Sequence, residues 1–306
     1  MRARSLRLLL MSLCLLMGAH AHAALVAVVL SETRGAYQEF ADGLRADMRK
    51  EAPSQDVLVM DVDQAAARGL SDVQLVIAVG GKAMESVLSR EQKPPVLVTL
   101  VPRSSFDKLP TARREDRRVS ALFIDQPPMR YIDLVRTALP DLQHLGMLVG
   151  RDSRDHIAQL AQAARERKLR PTSESIASEV ELYPALQKMF GDGNGALLAT
   201  PDTSVFNTQT IPNIILSTYR FRVPVIGFSP AYVRSGALIA IYSTPAHLAV
   251  QSSEIARNVL SGAALPAPQY PRLFSVGINS VVARGLGLEL DSEQVIHDRI
   301  EKLERP

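Results

Sequence analysis

The 306-residue chain has no tryptophan, only 5% aromatic residues and a single cysteine, Cys14. Cys14 lies in an N-terminal segment that begins with Arg2, Arg4 and Arg7, runs through apolar residues over 8–17 and closes on Ala21-His22-Ala23. A positive start, a short apolar core and small residues at the cut describe a secretory signal peptide, expected over 1–23. The apolar run is too short for a stable membrane-spanning helix. Leu13 precedes Cys14 where a lipid-attachment signal needs a small residue, so a periplasmic protein without a lipid anchor is expected. Removing 23 of 306 residues leaves 283, none of them cysteine, which excludes disulfides and thiolate metal sites there.

An excess of positive charge is missing too. The chain carries 35 Lys+Arg and 32 Asp+Glu, and three of the arginines belong to the leader, so the remainder balances at 32 against 32. Nucleic-acid binding loses its usual support, since phosphate contacts need surplus Lys and Arg. His144, His156, His247 and His297 are scattered, without the paired spacing of a metal site. No cofactor is expected. A chain of this length buries a large core without covalent staples and exceeds one typical domain, so two lobes are expected.

What is present is an alternation of short apolar runs with amphipathic stretches. Strand-like runs fall at Leu25–Leu30, 57–62, Leu75–Val79, 95–100 and 119–124, with helical patterns over 35–49 and 83–89. The layout then restarts. Strands are expected at 145–149, 196–199, 224–228 and 237–242, with helices over 129–139, 154–168, 207–221 and 247–260. A tail with Pro266, Pro268 and Pro271 leads to a strand at 274–278 and helices over 280–286 and 291–303. Nearly continuous apolar strands separated by helices indicate parallel sheets covered on both faces, here an α/β protein of two similar lobes.

Ligands of open α/β sheets bind beyond the carboxyl ends of the strands. The residues at those positions are Thr33, Arg34, Gly80, Gly81, Lys82 and Arg103 in the first half. In the second half they are Asp152, Ser153, Asp202 and Ser229. Tyr37 and Tyr242 lie close enough in sequence to stack on a ligand, or to pack in the core. Ser153, Asp152 and Asp202 are equally suited to capping helices, a role compatible with ligand contact. Gly80-Gly81 opens a helix but lacks the spacing of a phosphate loop. Lys82 sits where the helix dipole disfavours a cation, and either reaches solvent or meets an anionic ligand group.

Gly227-Phe-Ser-Pro-Ala231 approximates a hydrolase nucleophile elbow, and Asp291 and His297 follow in triad order. Ala231 replaces the final glycine, and Pro230 cannot supply the oxyanion-hole N–H expected just after the nucleophile. Enzymatic activity is not expected, and Ser229 reads as a hydrogen-bonding hydroxyl.

Several landmarks in order carry a family resemblance: Ala78-Val-Gly-Gly-Lys-Ala83, Pro95-Val-Leu-Val-Thr99, Leu145-Gly-Met-Leu148 and Leu198-Ala-Thr-Pro-Asp202. Val225-Ile-Gly-Phe-Ser229, Tyr232-Val-Arg-Ser-Gly-Ala237 and Ile278-Asn-Ser-Val-Val-Ala283 complete the series. The chain resembles the periplasmic solute-binding proteins of ABC importers, in the branch related to tryptophan- and tyrosine-binding lipoproteins. The resemblance implies two Rossmann-like lobes of the type I periplasmic binding protein kind, joined by a hinge, with ligand trapped as the lobes close. It implies crossings near 122–125, 236–242 and 274–279. The first lobe would hold 24–121 plus about 237–273, and the second 122–236 plus about 274–306. It places ligand contacts at Thr33, Tyr37, Gly81, Lys82 and Asp202. Many relatives carry a small hydroxyl residue where this chain has Lys82, which leaves room for a ligand other than a neutral amino acid. The expected partners are a small polar ligand, an amino acid or related anion, and an inner-membrane ABC permease, with no nucleic acid and a monomeric state. An envelope sensing or interaction protein of the same fold is the alternative.

Overall fold

Burial and pairing sort the strands into two sheets. In a computed structural model that describes residues 25–89, 94–151 and 153–305, β1 (Leu25–Leu30) has five consecutive buried residues, and β3 (Leu75–Val79) and β4 (Val96–Thr99) are buried throughout. Such runs have no solvent face, as a strand covered on both sides requires. With β2 (Asp56–Asp61) and β5 (Val119–Leu122) they form a parallel sheet in the order β2-β1-β3-β4-β5. The signal-peptide segment 1–23 and the site candidate Asp152 lie outside the described residues.

Helices cover both faces of this sheet. On one face α1 (Gly35–Glu51) offers Phe40, Ala41, Leu44 and Met48. On the other, α2 (Val62–Arg68) and α3 (Gly81–Leu88) contribute Ala65, Ala83, Met84 and Val87. Short helices α4 (Arg103–Asp107) and α5 (Thr111–Arg114) follow β4.

The second sheet runs β11-β10-β9-β8-β6-β7, parallel except for the β10–β11 pair. Its strands are β6 (His144–Val149), β7 (Arg170–Ser175), β8 (Ala196–Leu198), β9 (Val225–Gly227), β10 (Ile239–Tyr242) and β11 (Ser275–Ile278). One face packs on α6 (Pro128–Ala138), α7 (Arg154–Glu166) and α13 (Glu293–Glu304), through Ile132, Leu160, Ile296 and Ile300. The other packs on α8 (Leu182–Phe190), α9 (Thr210–Arg220) and α10 (Pro230–Ser235), through Leu186, Phe190, Ile214 and Tyr232. The remaining helices are α11 (Pro245–Leu260) and α12 (Ser280–Leu286).

Helix α11 returns to the first sheet, where Leu248, Ala249 and Ala256 join the cluster built on α1. Gly43 makes this approach possible, since a Cβ there would lie 3.1 Å from the Ala249 Cβ. The chain thus crosses between the sheets three times. The first crossing follows Leu122, and the second falls at Ser243-Thr244, between β10 and α11. The stretch leading to the third lies along β5, where Phe123 N–H donates to the Gln269 carbonyl (3.0 Å) and Gln269 N–H to the Ala121 carbonyl (2.8 Å), and the crossing itself precedes Ser275. Two expectations are corrected by this path. Residues 237–242 belong with the second sheet and not the first, because β10 pairs with β9 and β11. The third crossing comes before 274–279, because β11 is already a strand of the second sheet.

A polar clasp, buried at Arg130, Gln126 and Ser243, joins the three crossings. The Arg130 guanidinium donates to Glu304 Oε1 (2.5 Å) and Oε2 (2.7 Å), to Gln126 Oε1 (2.7 Å) and to the Pro271 carbonyl (2.8 Å). Gln126 Nε2 donates to Ser243 Oγ (2.9 Å), whose hydroxyl donates to the Leu273 carbonyl (2.5 Å). Arg130 also lies 4.5 Å over the Phe274 ring. Buried charge is tolerated where donors and acceptors are met in this way.

Candidate ligand-binding cleft

The carboxyl ends of β4, β6 and β8 open onto one cleft of about 320 Å³. The first lobe supplies Pro102, Arg103, Ser104, Ser105, Asp107 and Lys108, and the first crossing supplies Asp125. Facing them are Ser153, Asp155, His156 and Gln159 from the start of α7, and Thr200 to Thr203 after β8. A volume near the lower end of the usual range for ligand sites suits a small molecule.

Local geometry explains each wall. After β4 the backbone turns through Leu100, whose φ of 54° is left-handed. That turn aims the start of α4 at the first crossing, where Arg103 N–H donates to Asp125 Oδ2 (2.7 Å). The Arg103 side chain reaches Tyr270 Oη (3.1 Å) and Asp107 (3.4 Å). In the second lobe, Gly150 N–H donates to Ser153 Oγ (3.0 Å). A Cβ at Gly150 would stand 2.2 Å from Ser204 Oγ and 2.4 Å from Asp202 Oδ2, so only glycine lets β6 end beside the β8 loop. Asp202 Oδ1 accepts from Ser204 N–H (2.9 Å) and Oγ–H (2.6 Å) in a turn that its own side chain builds.

These walls contain polar atoms that the protein leaves unmatched. Asp125 Oδ1, His156 Nε2, Thr200 Oγ1 and Asp202 Oδ2 are buried and make no hydrogen bond among the described residues. Asp125, Thr200 and Asp202 are only 5%, 2% and 6% exposed. Burial pushes the Asp125 carboxyl up to about 7, against the opposing effect of the Arg103 N–H. Burial, followed by the charge of Arg103, pushes His156 down to about 4. Orphaned buried polar groups cost stability, and their gathering at one cleft marks it as built for something besides folding.

Of the sequence candidates, Arg103, Ser153 and Asp202 line this cleft. Thr33, Arg34, Tyr37, Gly80, Gly81 and Lys82 gather at the ends of β1 and β3, outside its lining. There Ser31 Oγ accepts from Ala83 N–H (3.0 Å), and Gly80 has a φ of +89° with Tyr37 packed against it. Arg34 and Lys82 are largely exposed and flank Glu32 at 3.1 and 3.9 Å, so Lys82 reaches solvent and a carboxylate of the chain itself. Ser229 precedes α10 without a side-chain capping bond. Tyr242 packs against Gly277 between β10 and β11. The sequence reading passed over Asp125 and His156 as contact residues. Asp125 was open to discovery, because it follows β5 as the other candidates follow their strands. His156 was set aside for lack of a paired histidine, a rule that applies to metals and not to organic ligands.

Comparisons with known proteins agree with this architecture. The ABC transporter substrate binding protein family matches residues 61–293. The chain belongs to that family of non-enzymatic solute-binding proteins. No curated protein matches it. Among solved structures, the ligand-free, open form of a substrate-binding protein with adhesive properties from Clostridium difficile is similar, at 16% identity and a TM-score of 0.72, over 88% of this chain and 96% of that one. A Streptococcus pneumonia ABC domain in complex with L-Trp shares 16% identity with a TM-score of 0.62, over 90% and 98%. A periplasmic ribose ABC transporter structure from Conexibacter woesei shares 13% with a TM-score of 0.54, over 93% and 99%. The fold is that of the type I periplasmic binding proteins. Among the described residues no helix is long and apolar enough to cross a membrane, and no cluster of His, Asp and Glu is placed to hold a metal.

Proposed function

We propose that this solute-binding protein captures a small polar solute, an amino acid or a related anion, by closing its lobes, and presents it to an inner-membrane ABC permease from the periplasm. The cleft between the lobes carries the reading, because the first crossing and the second lobe contribute buried polar atoms that lack partners among the described residues, and the first lobe faces them with Arg103, Ser104 and Ser105. A ligand that satisfied groups on both walls would favour the closed arrangement, since it bridges them only there. Asp202 is placed to receive an amine. Arg103 is the cleft group suited to a carboxylate, with Gly81, Lys82 and Arg34, outside the lining, as the other candidates for that role. A monomer suits a hinged clamp of this kind. The L-Trp held by one similar structure makes aromatic amino acids the first probes. Mass spectrometry of small molecules retained by protein purified under native conditions tests the proposal. Recovery of a stoichiometric polar solute supports it, and a cleft that retains nothing and binds no amino acid in calorimetric titration overturns it.

A further inference from the structure

We propose that the hinge-side floor of the cleft is a cation-recognising subsite, in which Asp125 receives a ligand ammonium group together with Asp202 from the opposite lobe. The inference rests on the solute-binding reading above and specifies its substrate class as amine-bearing solutes.

Three observations support it. First, carboxylates outnumber cations among the described residues lining the cleft: Asp107, Asp125, Asp155 and Asp202 face Arg103 and Lys108, and Arg103 is already engaged by Asp107. Second, the buried carboxylates are half-satisfied in the same way. One oxygen of Asp125 is held by Arg103 N–H and one oxygen of Asp202 by Ser204, while Asp125 Oδ1 and Asp202 Oδ2 have no partner among the described residues. An incoming donor completes both, whereas an incoming carboxylate completes neither of them in its ionised form, the form Asp125 takes above about pH 7. Third, Asp125 lies on a crossing segment, so a ligand touching it and Asp202 contacts the hinge and the second lobe at once. Burial pushes the Asp125 carboxyl up to about 7, and a ligand ammonium beside it would offset that burial and draw the value back down. A purely architectural carboxylate at this depth is fully paired, as Asp133 is with Arg167 at 2.6 and 3.2 Å.

The test uses matched ligands and two variants. Wild-type protein is titrated calorimetrically with the common amino acids, and with the acids that lack only the amine, such as L-tryptophan against indole-3-propionate. The aminated member of a pair is expected to bind at least about 100-fold more tightly, the scale expected when a buried charged partner is left unmatched. Asp125→Asn keeps the acceptor for Arg103 N–H and removes the charge. It is expected to weaken aminated ligands 10- to 100-fold while raising the melting temperature of the ligand-free protein at pH 8. That pairing of effects separates a ligand-binding carboxylate from a structural one, whose loss would lower the melting temperature. Asp202→Asn should weaken the same ligands. Equal binding of both members of a pair, or full affinity in Asp125→Asn, overturns the inference. Recovery of a native solute without an amine sinks the subsite and leaves the solute-binding reading standing. A protein that retains nothing and binds neither series sinks both.

Discussion

Asp125 and Gln126 are neighbours in sequence and belong to two buried polar clusters with opposite characters. On the Gln126 side, Arg130, Glu304, Ser243 and the carbonyls of Pro271 and Leu273 form a closed clasp across all three crossings. On the Asp125 side, Asp125, His156, Thr200 and Asp202 keep unmatched atoms beside an open cleft. The same hinge therefore carries one network that stabilises the protein and another that weakens it. Satisfied polar networks hold a unique structure, whereas half-satisfied ones are retained where a ligand completes them.

The largest break in this comparison should come from Arg130→Ala. It strips Gln126 and the Pro271 carbonyl of a buried donor, while the more exposed Glu304 returns to water, and should cost about 2–3 kcal/mol in urea unfolding. Affinity for a retained solute should change much less. A variant as stable as wild type would show that the clasp is not what holds the crossings.

Asp202→Ala should reverse the pattern. Ligand affinity should fall about 10- to 100-fold by calorimetry, while stability falls by about 1 kcal/mol for the lost turn hydrogen bonds. Unchanged affinity would remove Asp202 from the site.

Acid titration sharpens the comparison further. Asp125 ionises near 7 in the folded protein, above its ordinary carboxylate value of 3.8. Its contribution to stability is present at low pH and is lost as pH rises through 7. His156 ionises near 4 when folded, below its ordinary 6.5, so its contribution is present above 6.5 and is lost as pH falls toward 4. The two slopes oppose each other between pH 4 and 6.5. Asp125→Asn should expose a loss of stability on acidification across that window, and His156→Gln a gain, read as melting temperature against pH. Parallel profiles for all three proteins would contradict the burial assigned to both groups.

The smallest effect is expected from Ser229→Ala. Its hydroxyl makes no capping bond and Ser229 is absent from the cleft lining, so stability should move by less than about 0.5 kcal/mol and affinity should hold. A large loss of affinity would place β9 inside the binding surface.

Much of the fold was legible because burial leaves a direct trace in the chain. The runs at Leu25–Leu30 and Leu75–Val79 are apolar on both faces, and that pattern suits a strand inside a covered parallel sheet. β7 (Arg-Pro-Thr-Ser-Glu-Ser) escaped notice because it is an edge strand with mostly exposed side chains and Pro171, and so lacks both the apolar run and the alternation. Helix α8 was missed although Leu182, Ala185, Leu186, Met189 and Phe190 fall at helical spacing. In the site, strand ends pointed to Arg103, Ser153 and Asp202. The same rule also pointed to Thr33 and Gly81, which lie outside the lining of the cleft, because a sheet has more strand ends than one cleft can use.

The sequence alone determined the alternation of buried strands and amphipathic helices, since hydrophobic periodicity is written residue by residue. Tertiary structure decided which sheet each strand joined, because the buried run at Ile239–Tyr242 meets the packing needs of either sheet equally well. It also decided that Asp125 would face the cleft and Gln126 the clasp, because the direction of a side chain on a crossing segment is set by long-range pairing, here with Arg103 and Ser243.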